Sequence, residues 1–217
     1  MLNLKSTLVL CSSLSFFTSP GHAETKNVTK HPFYVGGIGG YGATTWDGLV
    51  PTEKNQKTAL MVSIPIKAEE GGATWGAFAG YEFSPNFAVE ASYLRYPRAT
   101  IYFDDFSLFT MYHDQSSFTS QTKSISLMGK IMLPIADSNF RVFSGAGAAG
   151  IYREDLLVEN WHFGPTFGVG VNYNFTEHLM GELVGNYIAG FGESQLSPEE
   201  TFFPFLYSVT IHLAYRF

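Results

Sequence analysis

Cysteine is almost missing from this chain. The one thiol, Cys11, falls in the first 23 residues, so the remainder has no disulfide to staple it and no thiol chemistry. Charge is also scarce: Lys, Arg, Asp and Glu make up 15% of the sequence, against roughly 25% in an ordinary soluble domain. A net charge of −6 with no basic cluster argues against a nucleic-acid partner, because nothing is placed to neutralise a run of phosphates. Long hydrophobic runs are absent too. Nothing after Ala23 reaches the roughly 18 consecutive apolar residues of a membrane helix. The six histidines are scattered singly, without metal-ligand spacing, so neither a metal nor another cofactor is expected.

What remains is rich in aromatics (16%) and glycine (22 residues). Few charges, many aromatics and no continuous apolar run together describe a β-barrel wall, in which apolar side chains alternate with others. Residues 1–23 have a different character. Lys5 supplies a basic start, Ser6 to Phe17 a mainly apolar stretch, and Ser19 to Ala23 a small-residue exit, the pattern of an export signal cut after Ala23. Leu10 ahead of Cys11 is a poor fit to a lipoprotein site. Residues 24–31 then form a short periplasmic segment, and 32–217 the barrel.

The clearest strand is Pro204 to Phe217 (PFLYSVTIHLAYRF). Its odd positions, from Phe205 to Phe217, are all apolar and aromatic at both ends; its even positions include Ser208, Thr210, His212 and Arg216. Strict period two gives one wholly apolar face, and aromatic girdles flanking an aliphatic middle suit a wall that faces lipid. Seven further alternating segments precede it: Phe33 to about Trp46, Gly72 to Phe83, from Phe87, about Ser120 to Leu133, Phe140 to about Tyr152, Trp161 to Phe175, and Leu179 to Phe191. Short turns (Ser84-Pro85-Asn86, Pro134 to Asn139, Thr176-Glu177-His178) alternate with longer connections near 47–71, 95–119, 153–160 and 192–203. Short periplasmic turns opposed by longer external loops is the outer-membrane arrangement. A soluble barrel would put charge outside, but the polar face here is Gly, Ser, Thr, Asn and Ala with isolated charges. The bulky residues therefore point outward.

These segments, above all GVGVNYNFTEHLMGELVGNYIAGF (Gly168 to Phe191) and the closing strand, resemble the small eight-stranded OmpA-like outer-membrane barrels. The resemblance implies an all-β, antiparallel, up-and-down barrel, monomeric, with both termini periplasmic. It implies outer-membrane lipid, lipopolysaccharide and the barrel assembly machinery as partners. Tyr215 and Phe217 match the carboxy-terminal assembly signal of such barrels. The peptidoglycan-binding domain that follows the barrel in OmpA is not expected.

Alternation also assigns the interior. Glu82, Glu90, Lys130, Arg141, Glu182, His212 and Arg216 fall on the inward face near the short turns. Charges there need partners, since an unpaired buried charge costs several kcal/mol or more. They are expected to form a salt-bridge network, serving either as a fixed core or as a gate. Catalytic machinery is not expected. Ser208 and His212 share a face, but four residues at about 3.3 Å rise set their backbones roughly 13 Å apart. His113, Asp114, Ser116 and Ser117 sit in a loop that nothing fixes, and His162 lies near the outer rim.

The second long connection, Arg98 to Ser120, holds Tyr102, Phe103, Phe106, Phe109 and Tyr112. Its aromatics either form a contact surface for a host molecule or another surface ligand, or pack on the apolar first connection (Thr58 to Lys67) and cap the barrel. Function is accordingly expected to be structural or surface-interactive. A narrow channel is the alternative, and a lipid A-modifying enzyme a more remote one.

Overall fold

A computed structural model describes residues 31–50, 64–135, 138–192 and 201–217. The expected export signal, and most of the apolar part of the first connection, lie outside these residues. The strands are β1 (Phe33–Ala43), β2 (Lys67–Glu69), β3 (Gly72–Ser84), β4 (Phe87–Arg95), β5 (Ala99–Tyr102), β6 (Ser117–Pro134), β7 (Phe140–Glu154), β8 (Glu159–Asn174), β9 (Leu179–Ile188) and β10 (Leu206–Arg216). Eight of them pair antiparallel in chain order (β1, β3, β4, β6, β7, β8, β9, β10), and the ring closes where β10 pairs with β1. At that seam Tyr34 lies opposite Arg216, and Phe217 N donates to Phe33 O at 2.8 Å. Full closure leaves no unpaired barrel edge.

The exterior follows the period-two pattern. Tyr207, Val209, Ile211, Leu213, Tyr215 and Phe217 are exposed, while Ser208, Thr210, His212, Ala214 and Arg216 between them are buried. Most barrel strands present bulk outward in this way, although the middle of β7 shows only Ser144, Ala146 and Ala148 there, and aromatics are dense at the short-turn end: Tyr81 against Phe83, Phe140 against Tyr173, and His178 stacked on Tyr215 at 5.5 Å. The glycines that blur the pattern in β1 do two different things. A Cβ on Gly36 would lie 2.0 Å from the Leu213 carbonyl oxygen, so the seam closes only over a residue without one, whereas a Cβ on Gly39 would meet nothing within 4 Å.

Several boundaries differ from the sequence expectation. β1 stops at Ala43, and Trp46 turns inward on a 3-10 turn (Trp46–Leu49) to become fully buried. β9 ends at Ile188, after which Phe191 meets Phe203 in an isolated bridge. β7 and β8 run on to Glu154 and back from Glu159, so the third connection is short and stands on a projecting hairpin. At the same end β5 continues the line of β4 along β6, and β2 adds outside it.

Candidate functional site

Two assemblies stand out, one inside the barrel and one at its long-loop end. The interior one is built from the seven inward residues, all 7% exposed or less. Glu82 on β3 receives two guanidinium forks. Arg141 on β7 donates to it at 2.8 and 3.2 Å, and Arg216 on β10 at 2.5 and 3.1 Å. Arg216 also lies 2.9 Å from the Met180 sulfur. One strand level further in, Lys130 on β6 donates to Glu90 on β4 at 2.5 Å and to Glu182 on β9 at 2.9 Å. Tyr34 donates to Glu90 at 3.0 Å, and His212 Nδ1 lies 3.6 Å from Glu182. Most of these pairs join strands that are not neighbours in the ring, so they cross the lumen.

Asn172 couples the two levels. Its Oδ1 accepts from Arg141 at 3.0 and 3.2 Å while its Nδ2 donates to Glu182 at 3.0 Å. Three carboxylates thus meet Lys130, Arg141 and Arg216 inside the barrel. Buried ions are tolerated only when they are paired and their remaining lone pairs and protons are satisfied. The sequence reading named every charged member but missed Asn172, whose only signal was its inward register. Above the ions the lumen mixes hydroxyls, with Ser92 and Ser126 at 2.7 Å and Thr210 bonded to His212 Nε2 at 3.0 Å, with buried apolar side chains such as Leu94, Ile188 and Leu206. Glu90, Glu182 and His212 offer donor atoms within 4.8 Å of one another. Lys130 Nζ already contacts both carboxylates, so a cation's place is filled by an ammonium group.

The residues weighed for nucleophilic chemistry are not brought together. Among the described residues no serine hydroxyl is hydrogen-bonded to a histidine. His113 packs on Phe109, and His162 on Phe191.

The long-loop end has a core of its own. Trp46, Ile101, Phe103, Phe109, Phe118 and Phe202 pack together, with Phe103 and Phe109 stacked at 3.9 Å. The Arg153 guanidinium lies over Trp46 at 4.6 Å, donates to the Phe202 carbonyl at 2.6 Å and pairs with Asp155. Alternation in the sequence ends this strand near Tyr152, one residue short of Arg153, whereas β7 runs to Glu154. Helix α1 (Leu108–His113) forms here because Ser107 caps it, its Oγ accepting from Thr110 N, and it ends at Asp114 in a left-handed conformation (φ 54°). Outside this core, hydrogen bonding to Lys67 and its positive charge hold the Glu69 carboxyl below the usual range.

One correction follows for the five aromatics expected as surface contacts. Phe103 and Phe109 are buried at 3% and 1% exposure, because the connection folds over them to close the barrel mouth. Tyr102 is half-buried and reaches Glu69 at 3.3 Å. Phe106 and Tyr112 are 81% exposed and, with Met111 at 74%, stand on the outside of the cap. Tyr215 and Phe217 lie on the outer wall at the short-turn end, in ring contact at 5.1 Å.

A closed eight-stranded ring, apolar and aromatic-belted outside and ion-paired within, is a transmembrane β-barrel of the bacterial outer membrane. The family model for the outer membrane protein beta-barrel domain matches residues 9–217, and the chain belongs to that family. Two solved structures share the fold. Neisserial surface protein A is 12% identical, with 85% of this chain and 97% of that chain covered and a TM-score of 0.53. The outer membrane protein OprG of Pseudomonas aeruginosa is also 12% identical, over 86% and 96%, with a TM-score of 0.51. No curated protein matches the sequence.

Proposed function

We propose that this protein is a closed, non-catalytic outer-membrane barrel that acts as a surface recognition or adhesion element, with its long connections outside the cell and its short turns in the periplasm. The observation that carries the reading is the anchored apolar tip. Phe106, Met111 and Tyr112 project from a connection pinned by buried Phe103 and Phe109. Exposed large apolar groups on a pre-ordered support are what an interface needs, because little conformational entropy remains to be lost on binding. The lumen supports the same reading. Passage of solute would require cross-lumen ion pairs to separate inside the barrel, each break stranding a buried charge at a cost of about 3–5 kcal/mol.

The test is adherence. Cells displaying the protein and cells displaying the triple variant Phe106→Ser, Met111→Ser, Tyr112→Ser are applied to epithelial monolayers and to surfaces coated with extracellular-matrix proteins. Adherence of the first, lost in the second at equal surface display, is the expected result. Equal adherence by both, together with ion conductance by the purified protein in planar bilayers, overturns the proposal in favour of a channel.

A further inference from the structure

The outer wall changes character at one level near the long-loop end. On β6 the outward residues from the short turn upward are Leu133, Ile131, Gly129, Leu127 and Ile125, and the next is Lys123. On β4 they are Phe87, Val89, Ala91 and Tyr93, and the next is Arg95. Tyr93 is the register partner of Ile125, and Arg95 of Lys123, so both strands pass from apolar to cationic together. Leu133 to Ile125 at about 3.3 Å per residue and a tilt near 40° spans roughly 20 Å, close to the ~25 Å apolar band of such barrels. The cations therefore stand at headgroup depth.

A bulge adds a third. Arg95 pairs with Lys123 but Ala99 pairs with Ser120, so the register steps by one residue across Tyr96, Pro97 and Arg98. The step inverts the alternation, and Arg98 emerges on the same outer face as Arg95 instead of pointing inward. Pro97, lacking an N–H, suits the break in the ladder. Gln121 holds the arrangement, accepting from Arg95 Nη2 at 3.2 Å and donating to the Tyr96 carbonyl at 2.7 Å.

The result is a polar cavity of about 410 Å³ lined by Arg95, Arg98, Lys123, Thr119, Gln121, Glu154 and Asp155. Glu154 is matched by Lys123 at 2.9 Å, and Asp155 by Arg153. Arg95 and Arg98 form no ion pair at contact distance among the described residues, although the Glu154 carboxylate lies near enough to feel both, and cations outnumber carboxylates in the lining by three to two. We propose that Arg95, Arg98 and Lys123 bind the phosphate of a phosphorylated lipid in the membrane leaflet at the long-loop end. Guanidinium forks match phosphate oxygens bidentately, while the Tyr93 and Ile125 wall directly below accepts the acyl chains. In the orientation proposed above this is the outer leaflet, but the site itself does not depend on that orientation or on the adhesive reading.

The probe is bisphosphorylated lipid A, compared with lipid A stripped of its phosphates, added to the refolded full chain in detergent and scored by native mass spectrometry. The native protein is expected to retain the phosphorylated form about tenfold better, and the Arg95→Gln, Arg98→Gln double variant to lose that preference. Glu154→Gln, which removes a carboxylate from the cavity, is expected to strengthen retention. The Arg98→Gln single variant, at an exposed position, gives the same test should the double variant not refold. Equal retention of both lipids by the native protein, or an undiminished preference in the Arg variants, overturns the proposal. So does displacement of lipid A by millimolar inorganic phosphate, which would make this a site for the free ion.

Discussion

Asn172 sits directly opposite Glu182 across the β8–β9 ladder and donates to it at 3.0 Å, while its oxygen is held by Arg141. One neutral amide thereby joins the Arg141–Glu82–Arg216 cluster to the Glu90–Lys130–Glu182 cluster. Asn172→Ala is expected to cost about 1–3 kcal/mol, the usual penalty for leaving buried polar groups unmatched. Urea titration followed by tryptophan fluorescence measures it. A double-mutant cycle between Arg141→Gln and Glu182→Gln should show coupling in the native background that falls away once Asn172 is Ala.

Among the described residues, Glu82 is the sole carboxylate paired with the buried guanidiniums of Arg141 and Arg216. Glu82→Gln is therefore expected to destabilise the barrel by about 3–5 kcal/mol, as loss of one buried ion partner does. Replacing all three, with Glu82→Met, Arg141→Leu and Arg216→Met, should recover most of that loss. The temperature at which the compact electrophoretic form disappears reads both.

At the seam, Gly36 and Gly39 separate a steric requirement from mere smallness. Gly36→Ala would drive its Cβ to within 2.0 Å of the Leu213 carbonyl and 2.8 Å of the Ala214 Cα, whereas Gly39→Ala enters open space. The first is expected to lower the fraction of chain that refolds to the heat-modifiable form, and the second to leave it unchanged. Equal yields would refute the steric argument.

Phe109 anchors α1 against Phe103 and Phe118. Phe109→Ala is expected to remove about 3–5 kcal/mol of local packing. Limited proteolysis should then cut within 104–115 while the barrel keeps its compact mobility.

The wall was legible because each outward residue within a barrel strand answers to one environment, a continuous apolar one, and so the period survives inside strands such as β10. The identity of the inward charges was legible for the same reason. Their partners were not, because which carboxylate meets which cation depends on the stagger of strands around the ring, and Glu82 finds Arg141 and Arg216 on strands that do not pair with β3. The cap was only half readable. Phe103 and Phe106 are the same residue type three positions apart, and only the folding of the connection over Trp46 decides that one is buried and the other exposed. Arg153 escaped because it lies at a strand end, and Asn172 because inward register alone does not tell a neutral amide that bridges ions from one that merely fills space.

The pairing of β10 with β1 also bears on timing. Every other pairing between barrel strands joins neighbours along the chain, but the seam brings together the two sequence-distant ends of the ring. Contacts of such separation form slowly, since the loop they close is the whole domain. Until Phe217 reaches Phe33, the facing edges of β1 and β10 carry unpaired backbone groups that lipid cannot satisfy.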